Sequence, residues 1–128
     1  MSRVVSTPDA PRPSGSYSQG LLVGNVLFTA GMGPHDPVTG KVRGKTIHEQ
    51  TEYTLASLEA VVIAAGMSKA DVVKVTAHLA RLDQDFAGYD EVYRRFFQPP
   101  FPTRTTVGSV LPGILLEVDL IAVRGNDE

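Results

Sequence analysis

Hydrophobic positions along this chain fall into short runs whose period changes several times. Residues 21–23 and 26–30 are brief apolar runs separated by Gly24-Asn25, a dipeptide that supplies the positive φ of a tight turn, and they predict a hairpin. A short strand over residues 3–6 precedes it. Between them, residues 7–16 hold three of the nine prolines and predict an extended loop, because proline lacks an N–H and fixes its own φ. Residues 46–65 contain no Gly or Pro, and Leu55, Leu58, Val62 and Ala65 recur at helical spacing. Thr46 with Glu49 fits a capping box and Gly66 suits the residue after a helix end, which predicts the first helix.

Residues 71–80 alternate, with Val73, Val75, Ala77 and Leu79 opposed to Lys74, Thr76 and His78, as in a half-buried strand. Residues 85–97 return to helical period: Phe86, Tyr89, Val92, Tyr93 and Phe96 form one stripe, and Asp85 suits the cap. Pro99-Pro100-Phe101-Pro102 must end that helix. Residues 103–110 and 115–123, joined by Leu111-Pro112-Gly113-Ile114, predict a terminal hairpin. The order implies an α+β fold, one domain over residues 1–128, with a mixed or mostly antiparallel sheet and two helices on one face. The last strand carries Leu116, Val118, Leu120 and Ala122 on one side and Leu115 and Ile121 on the other. Two helices cover only one sheet face, so oligomerisation through the open face is expected.

Composition narrows the chemistry. A length of 128 residues leaves no room for separate cofactor and substrate lobes. With 12 Lys+Arg against 14 Asp+Glu, a formal net charge of -2 argues against general nucleic-acid binding. The absence of Cys removes thiolate nucleophiles and cysteine-containing metal sites. No stretch approaches the roughly 20 apolar residues of a membrane span and no signal-peptide pattern opens the chain, so a cytoplasmic location is the expectation. His35, His48 and His78 lie on a loop, a helix start and a strand without ligand spacing, and no metal or cofactor is expected. Gly31-Met32-Gly33 reads as a turn better than as part of a phosphate-binding loop.

Strand alternation places Arg104 with Thr106, and Glu117 with Asp119. A four-residue hairpin loop would set 106 opposite 119, so that all four side chains emerge on one face. Such a group could clamp a carboxylate and orient a water, or it could be an ordinary cross-strand ion pair. Tyr17 could offer its hydroxyl to a ligand or serve as a buried anchor.

Many linked segments resemble the RidA/YjgF (reactive intermediate deaminase) family from about residue 3 to 123. They include Ala10-Pro11, Gly15-Ser16-Tyr17-Ser18-Gln19, Leu27-Phe28-Thr29-Ala30-Gly31, Asp36-Pro37-Val38-Thr39-Gly40, Ala64-Ala65-Gly66 leading to Asp71-Val72-Val73-Lys74, Asp85-Phe86-Ala87, Val92-Tyr93-Arg94-Arg95-Phe96-Phe97, Phe101-Pro102-Thr103-Arg104, and Leu111-Pro112 through Glu117-Val118-Asp119-Leu120-Ile121-Ala122. The resemblance implies a chorismate-mutase-like fold, a homotrimer with clefts between subunits, and cofactor-free hydrolysis of imines and enamines such as 2-aminoacrylate to 2-keto acids and ammonia. It implies Arg104 as carboxylate clamp, Tyr17 as ligand contact from its own or a neighbouring subunit, and Gly31 as cleft backbone. The chain departs from the pattern at Ala30, where Ser is typical, at Thr106 for Cys, at Asp90 for Asn and at Asp119 for the water-positioning Glu. The expectation is therefore an imine deaminase with Arg104, Asp119 and Tyr17 as catalytic residues and Ala30, Gly31 and Thr106 beside the substrate. The alternatives are a carboxylate-metabolite-binding or pathway-specific protein of the same fold, and, less favoured by the charge, an endoribonuclease.

Overall fold

The Thr46–Glu49 pair closes the start of the first helix as the sequence predicts. Glu49 N–H donates to Thr46 Oγ1 at 3.1 Å, and Thr46 N–H donates back to Glu49 Oε1 at 3.2 Å. In the computed structural model, which describes residues 2–125, helix α1 runs Ile47–Ala64. It ends in a Schellman turn: Gly66 at φ +80° donates to Ile63 O, and Met67 N–H donates to Val62 O. Removing the cap with Thr46→Ala should cost about 1 kcal/mol, read as a melting temperature lower by roughly 4 °C at fixed protein concentration.

The strands are β1 (Ser2–Val5), β2 (Gly20–Val23), β3 (Val26–Thr29), β4 (Val72–Leu79), β5 (Thr103–Gly108) and β6 (Leu116–Val123), with helix α2 (Leu82–Phe96) between β4 and β5. They form one mixed sheet in the order β1-β2-β3-β6-β4-β5. Both helices pack on the same face, burying Leu55, Leu58, Val61, Tyr89 and Tyr93 against Leu27, Val75, Leu116, Val118 and Leu120. The expected fold class is the one observed.

Three local expectations change. The terminal hairpin does not exist: β5 pairs parallel with β4, and β6 lies on the other side of β4 and antiparallel to it. Helix α2 is the reason, since a parallel pair needs a crossover and α2 supplies it between β4 and β5. Helix α2 also starts before Asp85. Its cap position is Arg81, and buried Asp85 accepts from Arg81 Nε and Nη2 at 3.0 and 3.3 Å. Finally, a register shift between Val72 and Lys74 breaks the alternation at the start of β4, so that Val72 is buried while Val73 is only partly so.

The open face divides into two zones. Val4, Leu21, Phe28 and Ile121 lie side by side across β1, β2, β3 and β6, and Val4, Leu21 and Phe28 are exposed. Beyond them, β4, β5 and β6 present Lys74, Thr76, His78, Thr105, Glu117 and Asp119.

Candidate active site

Gln19 organises one wall of a cleft. Its side chain is buried, accepts from Thr7 N–H at 2.7 Å, and donates to the carbonyls of Thr7, Ala10 and Pro11 at 3.1, 3.2 and 2.8 Å. Four bonds from one amide tie the proline-rich loop to the start of β2, which brings Pro11, Arg12 and Ser14 over the sheet end. Tyr17 is half-exposed beside them, and its hydroxyl accepts from Ser14 N–H at 3.0 Å. The opposite wall comes from β6. Met32 and Val118 exchange backbone hydrogen bonds at 2.8 and 2.9 Å, which sets Glu117 against the segment around Gly31.

Gly31 is there for space. A Cβ on it would stand 2.6 Å from Glu117 Oε2. Tyr17, Gly31 and Glu117 thus share a cavity of about 320 Å3, with Arg12 and His35 also on its lining. A larger groove of about 580 Å3 beside Pro99–Pro102 has Lys69 as its sole ionisable side chain, which is too little for acid-base chemistry.

Arg104 is elsewhere. It sits level with Val75 on β4, which in turn sits level with Leu120 on β6, so its side chain rises on the helix-covered face. There Nη1 donates to Asp90 Oδ1 at 2.7 Å, and the guanidinium lies 4.6 Å from the centroid of the Tyr93 ring and 5.5 Å from that of Phe86. Asp90 also accepts from Arg94 at 3.2 Å. Burial pushes the Tyr93 hydroxyl up to about 12, against the opposing pull of Arg104, and raises Tyr89 as well. Both phenols stay protonated. Thr106, two residues on, turns a buried hydroxyl without a partner toward the helices.

Arg104, Thr106, Glu117 and Asp119 therefore do not emerge together, because the shared face rested on the hairpin that β4 interrupts. Asp119 lies level with Thr76 and Thr105 on the open face. Burial raises its pKa, opposed by His78 and Lys74 and reinforced by Glu117. The structure puts Glu117 in the cleft with Tyr17 and Gly31, and Asp119 outside its lining. Ala30 is also off the lining, donating its N–H to Gln19 O at 2.9 Å. Sequence reasoning passed over Gln19, Arg12 and His35 as cleft residues, and grouped Glu117 with Arg104, Thr106 and Asp119 while giving the water-positioning role to Asp119. Glu117 and Asp119 have the same strand parity, and only the Met32–Val118 bridge distinguishes them. Among the described residues no helix is long and apolar enough to cross a membrane, and no group of three or more metal-ligating side chains occurs.

The sequence profile described as Endoribonuclease L-PSP matches residues 7–124. A RutC family protein of Pyrococcus horikoshii is 42% identical over 126 residues, covering 97% of this chain and 99% of its own. The Escherichia coli protein named "Putative reactive intermediate deaminase TdcF" is 38% identical over 129 residues, covering 97% and 98%. The crystal structure of that TdcF with bound serine superposes with a TM-score of 0.90 over 96% of this chain and 99% of the other. The YjgF gene product of E. coli, 35% identical, superposes with a TM-score of 0.88 over 95% and 98%. With a profile match over residues 7–124, superposition over nearly the whole fold and identity spread over nearly the whole length, the chain belongs to the RidA/YjgF family of reactive intermediate deaminase relatives.

Proposed function

We propose that this protein hydrolyses small carboxylate-bearing imines and enamines, of the 2-aminoacrylate type, to 2-keto acids and ammonia without a cofactor. The observation that carries the reading is Glu117 resting on the side-chain-free floor of Gly31 in a cavity walled by Tyr17. A carboxylate there can take a proton from water as it adds to an imine carbon. Relatives named for deamination, and a TdcF structure holding serine, a small amino acid with a carboxylate, support that substrate class.

Arg12 lines the cleft, but the family resemblance gives the carboxylate clamp to Arg104, which stands on the other face of the sheet in the same chain. The proposal therefore includes a homotrimer in which Arg104 of one copy reaches the Glu117 cleft of the next. The exposed apolar row from Val4 to Phe28 supports burial of the open face. In this reading the water-positioning role expected of Asp119 belongs to Glu117, and Arg104 clamps the carboxylate while Tyr17 walls the cleft.

The test generates 2-aminoacrylate with a serine or threonine dehydratase and follows keto-acid appearance. Wild type should accelerate it. Arg104→Ala, which removes two charge-assisted hydrogen bonds, should lower kcat/KM about 100-fold. No acceleration by wild type, or equal acceleration by the variant, overturns the assignment. A second reading, carboxylate binding without turnover, draws on Asp90, which already occupies one edge of Arg104. Under it, keto-acid binding would depend on Arg104 while imine decay stayed at its uncatalysed rate.

A further inference from the structure

We infer that His35 is the second proton-transfer group of the cleft, acting on the imine opposite Glu117; the inference rests on reading this cleft as an imine-hydrolysing site. Gly31 and Gly33 flank Met32, whose side chain is buried and whose backbone is bridged to Val118. Side chains alternate along such a segment, so both glycines turn the same bare face to the cavity. Each is covered by an ionisable group. A Cβ on Gly31 would meet Glu117 Oε2 at 2.6 Å, and one on Gly33 would meet His35 Cε1 at 2.9 Å and Nδ1 at 3.0 Å. The carboxylate and the imidazole therefore cover glycines two residues apart on one backbone floor of the same cavity. The cavity they share, about 320 Å3, has room for a small ligand and water.

Among the described residues the His35 ring makes no hydrogen bond or ion pair, so its nitrogens are available to a ligand. Arg12, Tyr17 and Glu117 are the charged or titratable groups facing it across the cavity. Asp36, next in the chain, is engaged by the N–H groups of Val38 and Thr39 and lies 3.9 Å from Arg43. Imidazole both gives and takes a proton near neutral pH, which suits a reaction that needs both.

The proton count closes. As water oxygen bonds to the imine carbon, Glu117 takes a water proton, the C=N π pair moves to nitrogen, and nitrogen takes a proton from the His35 imidazolium. In the carbinolamine, oxygen and nitrogen share one carbon, so either group reaches either atom. The C–N bond then breaks with its pair on nitrogen, which takes the Glu117 proton and leaves as ammonia. The hydroxyl proton passes to His35 as the carbonyl forms, and both side chains regain their starting states.

The experiment compares wild type, His35→Gln and His35→Asn, measuring imine turnover against pH and the dissociation constant for pyruvate. Both variants should bind pyruvate within about twofold of wild type, lose about 100-fold in kcat, and lack the alkaline limb of the wild-type pH profile. Wild-type turnover in the variants overturns His35 as a proton-transfer group and leaves the imine reading standing. Loss of pyruvate binding in both variants also overturns it, by making His35 structural. Failure of wild type to accelerate imine decay overturns the imine reading itself.

Discussion

Mixing Arg104→Ala chains with Glu117→Gln chains should restore about a quarter of wild-type imine turnover, although each variant alone is nearly inactive. The reason is the sidedness of the sheet. Arg104 stands on the helix-covered face of the edge strand β5, whereas Glu117 stands in the cleft at the start of β6, two strands away and on the opposite face. Under the proposed function a working site takes Glu117 from one copy and Arg104 from the next. In trimers assembled at random from a one-to-one mixture, each site draws an intact glutamate half the time and an intact arginine half the time, which yields about one intact site in four. The mixture is made by co-expression or by refolding together, and mixed trimers are verified by mass. Activity that stays at the single-variant level in verified mixed trimers would refute a site shared between copies. Each single variant should be lower than wild type by about 100-fold or more, since under the proposed function one would lack the carboxylate clamp and the other the proton acceptor.

Phe28→Asp should leave the fold of each chain intact, abolish assembly and with it turnover. Phe28 lies in the apolar row between Leu21 and Ile121 and is 45% exposed in the single chain. It points away from the helices, so a carboxylate there does not enter the core. In an assembled open face the same carboxylate would lose its hydration without a partner, a penalty of several kcal/mol at each copy. Sedimentation should report a monomer at micromolar concentration, with an unchanged far-ultraviolet circular dichroism spectrum and no acceleration of imine decay. A variant that sediments as wild type would refute the open face as the assembly surface.

Much of this architecture is legible because it is encoded locally. The Thr46–Glu49 box, Gly66, the proline block after α2 and the alternation from Leu116 to Ala122 each act within a few residues, and each appears where the sequence places it. Pairing between distant strands is not local. The turn at Leu111-Pro112-Gly113 is real, with Gly113 at φ +79°, yet the strands on either side of it part around β4. A turn signal specifies a change of direction and leaves the neighbour open. That one non-local fact moves Arg104 to the far side of the sheet from Asp119. The family pattern singled out Tyr17 and Gly31, which the structure brings to one cavity, and Arg104, which it places on the other face of the sheet. Glu117 needed the bridge between Met32 and Val118, and His35 was signalled only by its place in the alternating series Gly31, Gly33, His35.

The position of β6 also bears on how the chain is made. The last strand in order occupies the gap between β3 and β4, so during synthesis the ribosome must release Val123 before the sheet can close. Until then β3 and β4 each carry an unpaired edge, and Leu27 and Val75, both fully buried in the finished sheet, lack the neighbours of Leu116, Val118 and Leu120. Nascent chains of this protein therefore pass through a stage with two sticky edges facing one vacant slot, the period in which chaperone capture or pairing with another nascent copy competes with native closure.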